Sequence, residues 1–120
     1  MSIKINRVSK RYDTGLLALD DINLEIGNHE FICILGPSGC GKSTLLNIIA
    51  GLDKPSEGAV SINDNHINGS SSDRVMMFQE SSLFPWLTVF ENIKFGLKFK
   101  KLSKSEQNDI ANKLLKLIKL

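Results

Sequence analysis

The run GPSGCGKST at positions 36–44 is the part of the chain whose residue types could do the most chemistry. Its glycines let consecutive backbone N–H groups turn into one concavity, where several donors meet a single anion. Lys42 brings a positive charge to that concavity, and the hydroxyl of Ser43 follows it. The residues after it have helical periodicity, so the positive end of a helix dipole should also face the anion. The run therefore predicts a phosphate-binding loop.

This run, called the phosphate loop below, matches the pattern G-x-x-x-x-G-K-[ST], which requires a strand before it and a helix after it. The continuously apolar FICIL predicts a strand over residues 30–36 that is buried on both faces, and a helix is predicted over 42–50, ending at Gly51. Lys42 is expected to reach the β and γ phosphates of ATP and to act in catalysis, and Ser43 to ligate magnesium. The residues predicted to contact the nucleotide here are Gly36, Pro37, Ser38, Gly39, Cys40, Gly41, Lys42, Ser43 and Thr44.

The elements around the loop indicate an α/β fold. Alternating side chains predict two antiparallel strands over residues 3–8 and 18–26, and further strands over 59–62 and 74–79. The polar stretch between the last two is expected to be loop or turn. Two capping boxes, Thr88 with Glu91 and Ser103 with Glu106, predict that the chain continues as helices.

Composition narrows the class of protein. With 42% hydrophobic and 23% charged residues, the chain resembles an ordinary soluble domain, and no apolar run approaches the length of a membrane span. Cys33 and Cys40 form no metal-ligand or disulfide pattern with His29 or His66, which favours a cytoplasmic protein. Within this interpretation Cys33 should be buried and inert, and Cys40 reactive.

A lysine-rich stretch over residues 94–119 accounts for the net positive charge. Ile110, Leu114, Leu117 and Ile118 fall on one face of a predicted helix there, so most of the lysines are interpreted as its solvated face. A membrane-surface or nucleic-acid patch is the alternative, but no aromatic residues are interleaved as nucleic acid would favour. No nucleic-acid partner is expected.

Beyond the phosphate loop, three segments carry a family resemblance: Tyr12 in VSKRYDTG, MFQE at 77–80, and the continuation SSLFPWLTVFENIKFGL. Over nearly all 120 residues the chain resembles the ATP-binding subunits of ATP-binding cassette (ABC) importers, in particular those of nitrate, sulfonate or taurine systems. The resemblance implies that Tyr12 stacks on adenine. It also implies that Gln79 contacts ATP-bound magnesium or the attacking water, as a metal-site and catalytic residue, where the subunit meets the membrane protein.

The resemblance further implies a truncated P-loop NTPase fold of the ABC ATPase type: an antiparallel β subdomain and part of the P-loop core sheet over 1–79, then the start of a helical subdomain over 80–120. The implied cofactors are ATP and Mg²⁺. The implied partners are membrane permease subunits, a second nucleotide-binding subunit and a periplasmic or lipid-anchored solute-binding protein. Such a subunit would be peripheral at the cytoplasmic face of the membrane, with Gln79 and residues 84–86 at its docking surface.

Several motifs of that family do not occur up to Leu120: an LSGGQ-type sequence, an apolar strand ending in Asp-Glu, and a switch histidine. LALDD at 17–21 imitates the acidic strand but precedes the phosphate loop, so it is interpreted as ordinary strand. His29 stands where relatives commonly carry a turn glycine. The expectation is an N-terminal fragment without turnover of its own. The alternatives are another P-loop kinase or a GTPase, although no N-K-x-D guanine motif is present, and a truncated product that binds nucleotide or a permease without hydrolysis.

Overall fold

The structure, a computed structural model, describes residues 2–79 and 82–119. They fall into two compact units, Met1–Met76 and Met77–Leu120, each with its own internal contacts. Sheet and phosphate loop belong to the first unit, and the second is helical.

An antiparallel sheet forms most of the first unit. Its strands are β1 (Ile3–Arg11), β2 (Leu17–Ile26), β3 (Glu57–Ile62) and β4 (Asn65–His66), in the order β2-β1-β3-β4. The predicted antiparallel pair β1–β2 and the strand β3 are confirmed. The two residues of β4 lie in the polar stretch predicted as loop or turn, where they pair with the end of β3. LALDD lies in β2, which confirms its interpretation as ordinary strand.

A bulge in β1 lets two apolar residues of odd spacing share one core. Ile5 and Val8 would lie on opposite faces of a regular strand, because side chains alternate. The pairing with β2 shifts register between them, and Arg7 adopts a left-handed φ of 48° at that point. Both side chains are therefore buried, Val8 completely.

The helix α1 (Lys42–Ala50) has the bounds predicted from the sequence and ends at Gly51. Its buried residues, Leu45 and Ile48, pack against the sheet. Burying an aliphatic side chain of this size stabilises the folded state by about 1.5–3 kcal/mol. These two side chains therefore help to hold α1 against the sheet. The core cluster consists of Ile5, Val8, Leu19, Leu45, Ile48 and Val60.

The strands predicted over residues 30–36 and 74–79 are wrong for this structure. Neither segment forms regular strand, and of the 30–36 run, predicted to be buried on both faces, Phe31 is 94% exposed while Ile34 is partly buried against the core. A strand needs a neighbour for its N–H and C=O groups, and among the described residues no strand pairs with either segment. The part of the P-loop core sheet predicted here is therefore not formed as sheet, and Cys33, predicted to be buried, is exposed.

The second unit contains α2 (Val89–Phe95), a 3₁₀ helix (Gly96–Phe99) and α3 (Lys104–Leu117). Both predicted capping boxes are present: Thr88 and Glu91 cap α2, and Ser103 and Glu106 cap α3. The hydrogen bond from the Thr88 backbone N–H, together with that from the Thr88 hydroxyl, lowers the pKa of Glu91, as expected for a carboxylate that caps a helix. Within 2–79 and 82–119, every helix is too short or too polar to cross a lipid bilayer.

Candidate nucleotide-binding site

The phosphate loop wraps around the ammonium group of its own lysine. Lys42 Nζ donates to the carbonyl oxygens of Gly36 at 2.8 Å and Pro37 at 2.6 Å, and it lies 3.5 Å from Cys40 Sγ. The loop closes through a longer bond of 3.4 Å from Cys40 N–H to the Pro37 carbonyl. Carbonyl groups from the start of the loop thus hold the positive charge at the loop, where a phosphate would need it.

The start of α1 differs from that of the other two α-helices. It has no side-chain cap and no acidic residue in its first turn, whereas α2 and α3 each carry a capping box with a glutamate. The first N–H groups of a helix have no acceptor within the helix, so an uncapped start leaves donors for another anion. The loop and this first turn therefore offer backbone donors that would suit the oxygens of a phosphate chain.

Tyr12 lies against this first turn. Its hydroxyl is 3.4 Å from Thr44 Oγ1, and the side chain is half-buried. The tight β1–β2 connection positions it, since the Tyr12 N–H donates to the Leu16 carbonyl and the Tyr12 carbonyl accepts from Gly15. The structure thus brings together the aromatic residue and the phosphate loop, two predicted parts of the site that are distant in sequence. Stacking of Tyr12 on adenine stays a prediction.

Two neighbours of Tyr12 were missed by the sequence analysis, Lys10 and Asp53. The Lys10 ammonium donates to Asp53 Oδ1 at 2.6 Å and lies 5.0 Å from the centre of the Tyr12 ring. This hydrogen bond lowers the pKa of Asp53 below its ordinary value. The strand predicted from the sequence ends at residue 8, so its alternation does not reach Lys10, which lies near the end of the longer β1. No sequence signal marks Asp53, whose contact spans 43 positions.

The second unit contains the other predicted site residue, Gln79, which is exposed. Glu80, the last residue of the MFQE segment, and the following Ser81 lie outside the described residues. Further along, Phe84 and Trp86 form an aromatic pair with ring centres 5.3 Å apart, and Trp86 is 75% exposed. The roles of Gln79 and Trp86 toward magnesium and a membrane partner stay predictions.

The amide of Asn92 fixes the conformation of residues 84–88. Its Oδ1 accepts from the Phe84 N–H at 2.8 Å, and its Nδ2 donates to the carbonyls of Phe84, Leu87 and Thr88 at 3.0 to 3.1 Å. We expect Asn92→Ala to weaken this segment by about 1–3 kcal/mol, because a half-buried network loses all these bonds at once. Hydrogen exchange at the Phe84 amide should become faster.

The matched control for this prediction is Asn112→Ala, an exposed asparagine of α3. It should leave exchange at Phe84 unchanged. Equal exchange of Phe84 in Asn92→Ala and the parent protein would show that the amide does not hold the segment.

The two cysteines provide an internal comparison for occupancy of the phosphate loop. Both are exposed, so a small alkylating reagent should reach both in the absence of nucleotide. A phosphate chain bound in the loop should protect Cys40, and Cys33 should stay reactive because it precedes the loop. Peptide mass spectrometry with and without MgATP checks this expectation, and protection of neither cysteine or of both to the same degree would contradict it.

Comparison with known proteins identifies the family of the chain. The model of the ABC transporter family matches residues 19–120. An uncharacterized ABC transporter ATP-binding protein of Methanocaldococcus jannaschii is 43% identical over the whole chain and 46% of its own length. The nitrate import ATP-binding protein NrtD of Synechocystis is 44% identical over 97% of the chain and 44% of its own length. The chain thus spans less than half the length of these relatives.

A solved structure shares the fold. It is an ATP-binding cassette determined as a dimer in a post-hydrolysis state with ADP and Pi, and it superposes with a TM-score of 0.83 at 39% identity. The match covers 98% of this chain and 57% of the solved one. The predicted fold, the N-terminal part of an ABC ATPase, is confirmed. The phosphate loop, the fold and the family model lead to one conclusion: this chain belongs to the ABC transporter family.

Proposed function

We propose that this chain binds MgATP as part of the ATP-binding subunit of an ABC importer. The observation that carries the proposal is the phosphate loop at the uncapped start of α1, with the Lys42 ammonium inside the loop. The nitrate importer relative supports the importer assignment, as does a taurine import ATP-binding protein of Pelagibacter ubique that is 52% identical over 70% of the chain and 32% of its own length.

The residues divide the work of binding. Backbone N–H groups of the loop and of the first turn of α1 donate hydrogen bonds to phosphate oxygens. Lys42 gives up its bonds to the loop carbonyls and binds the β and γ phosphates. Ser43, exposed at the start of the helix, supplies a hydroxyl for magnesium. Magnesium, when bound, neutralises charge on the phosphates. The Tyr12 ring stacks on the adenine base, and Gln79 contacts magnesium or the attacking water.

Hydrolysis and transport belong, in this proposal, to a longer protein. The relatives are more than twice as long as the aligned region, and the LSGGQ, Asp-Glu and switch-histidine motifs do not occur in the printed sequence. A chain of these 120 residues alone should show negligible ATP turnover, because no general base is supplied for the attacking water.

The proposed assembly contains two such subunits, as the dimeric solved cassette suggests, together with membrane permease subunits and a solute-binding protein. The subunit then lies at the cytoplasmic face of the membrane. Gln79 and the exposed Trp86, which packs against the half-buried Phe84, are proposed to dock on the permease, since exposed aromatic side chains held by their neighbours are common anchors of interfaces.

The test uses the natural full-length protein with and without its permease in vesicles. MgATP should bind with micromolar or better affinity, and the permease should stimulate hydrolysis. Gln79→Ala should leave ATP affinity within a few-fold while transport per ATP hydrolysed falls. A wild-type protein that binds no ATP refutes the function. Intact permease-stimulated transport in Gln79→Ala refutes only the coupling role.

A further inference from the structure

An ion pair at the end of β1 lies beside the proposed adenine site without belonging to the phosphate loop. Lys10 Nζ donates to Asp53 Oδ1 at 2.6 Å and to the Lys54 carbonyl at 2.8 Å. The Lys54 N–H donates to the same carboxylate oxygen at 2.7 Å. The side chains of Lys10 and Asp53 are only 13% and 28% exposed. In a typical surface ion pair the two side chains are held only by each other, whereas here hydrogen bonds to the Lys54 backbone also hold both charged groups.

The pair contacts Tyr12 at two places. The Lys10 ammonium lies over the ring, 5.0 Å from its centre, and Asp53 Oδ2 is 3.4 Å from the Tyr12 hydroxyl. Contacts at the ring face and at the hydroxyl restrict both side-chain torsions of the tyrosine. Because the ammonium occupies one face of the ring, a base must stack on the opposite face. The pair thus fixes where the ring lies and which face it offers.

The backbone of β1 is held by other contacts. The Ser9 carbonyl accepts from the Ser56 N–H at 2.8 Å, and Ser56 Oγ bonds both the N–H and the carbonyl of Arg11, at 3.0 and 3.1 Å. These bonds join the end of β1 to the segment after α1 without Lys10 or Asp53. Removing the ion pair should therefore release the Tyr12 side chain while the strand stays in place.

We propose that Lys10 and Asp53 are positioning residues that hold the Tyr12 ring ready for adenine and thereby set the preference of the site for ATP over bare triphosphate. The inference rests on the proposed function, since it requires ATP as the ligand. Its physical basis is preorganisation: a side chain that is ordered before binding costs less to order on binding. Base stacking on an aromatic ring gains from that order, and phosphate contacts in the loop do not.

The experiment measures dissociation constants of MgATP and of magnesium tripolyphosphate by calorimetry on the natural full-length protein. Lys10→Met and Asp53→Asn should each weaken ATP binding about three- to tenfold and change tripolyphosphate binding by less than about twofold. The double variant should be no weaker than the weaker single variant, because the two residues act as one unit. In a Tyr12→Ala background neither substitution should have any further effect on ATP.

Lys4→Met is the matched control. It removes the exposed Lys4–Asp64 pair of 3.1 Å in the same sheet, and it should leave both affinities unchanged. The proposal is overturned if Lys10→Met weakens both ligands equally, which includes loss of both through misfolding, or if its effect on ATP persists in Tyr12→Ala. If the wild-type protein has no affinity for ATP, the proposed function is refuted instead. If the wild type prefers ATP over tripolyphosphate and the Lys10 and Asp53 variants keep that preference, only the positioning role is refuted.

Discussion

Lys42→Ala should weaken MgATP binding by roughly 100-fold or more, the largest effect we expect of any side chain in the site. Lys42 is the only cationic residue of the phosphate loop, and its ammonium already lies at the carbonyls of Gly36 and Pro37. Alanine removes both the charge expected to meet the phosphates and the bonds from the ammonium to these two carbonyls. No neighbouring backbone donor can replace a charge-assisted bond.

Calorimetry on the natural full-length protein gives the affinity, and a thermal melt shows whether the fold survives. Lys4→Ala is the control, because Lys4 is an exposed lysine of β1 whose ion pair with Asp64 lies outside the phosphate loop. It should bind MgATP as the parent does. If Lys42→Ala kept an affinity within a few-fold of the parent protein, the phosphate loop would not be the nucleotide site.

Local signals in the sequence were enough to predict α1, the starts of α2 and α3, and the strands β1, β2 and β3. The start of α1 follows from the glycines before Lys42, and α2 and α3 begin at capping boxes whose members are three residues apart. The antiparallel pair β1–β2 follows from alternation on either side of a short turn. Each of these features depends on residues that are close in sequence, which is why a pattern can show them.

The errors concern contacts between distant segments. An apolar run such as FICIL shows that residues 30–36 favour burial, but a strand also needs a neighbour, and no local pattern tells whether one is present. The pair Lys10–Asp53 is a second case, since two common charged residues acquire a role only when β1 passes the end of α1. For the candidate site, the sequence predicts the phosphate loop and Tyr12, but only the fold shows what positions Tyr12.

Gly41→Ala should be among the most destabilising single substitutions in the first unit. Gly41 precedes α1 with a left-handed φ of 95°, which L-residues rarely adopt. A Cβ at this position would collide with the backbone carbonyl oxygen of Ala18 and lie 2.9 Å from Cδ2 of Leu19, a buried core residue. A clash with strand backbone cannot be relieved by a side-chain rotation, so the loop and α1 would have to move away from β2.

Gly39→Ala is the matched control in the same loop. Gly39 also has a left-handed φ, of 80°, but a Cβ there meets nothing within 4 Å. Gly39→Ala should therefore lower the free energy of unfolding only by the backbone strain, about 1–2 kcal/mol. Gly41→Ala should lower it by about 3–5 kcal/mol. Denaturant unfolding of the natural full-length protein measures both. Equal losses of unfolding free energy for the two substitutions would mean that backbone strain accounts for both, and that the clash of the added Cβ with β2 contributes nothing.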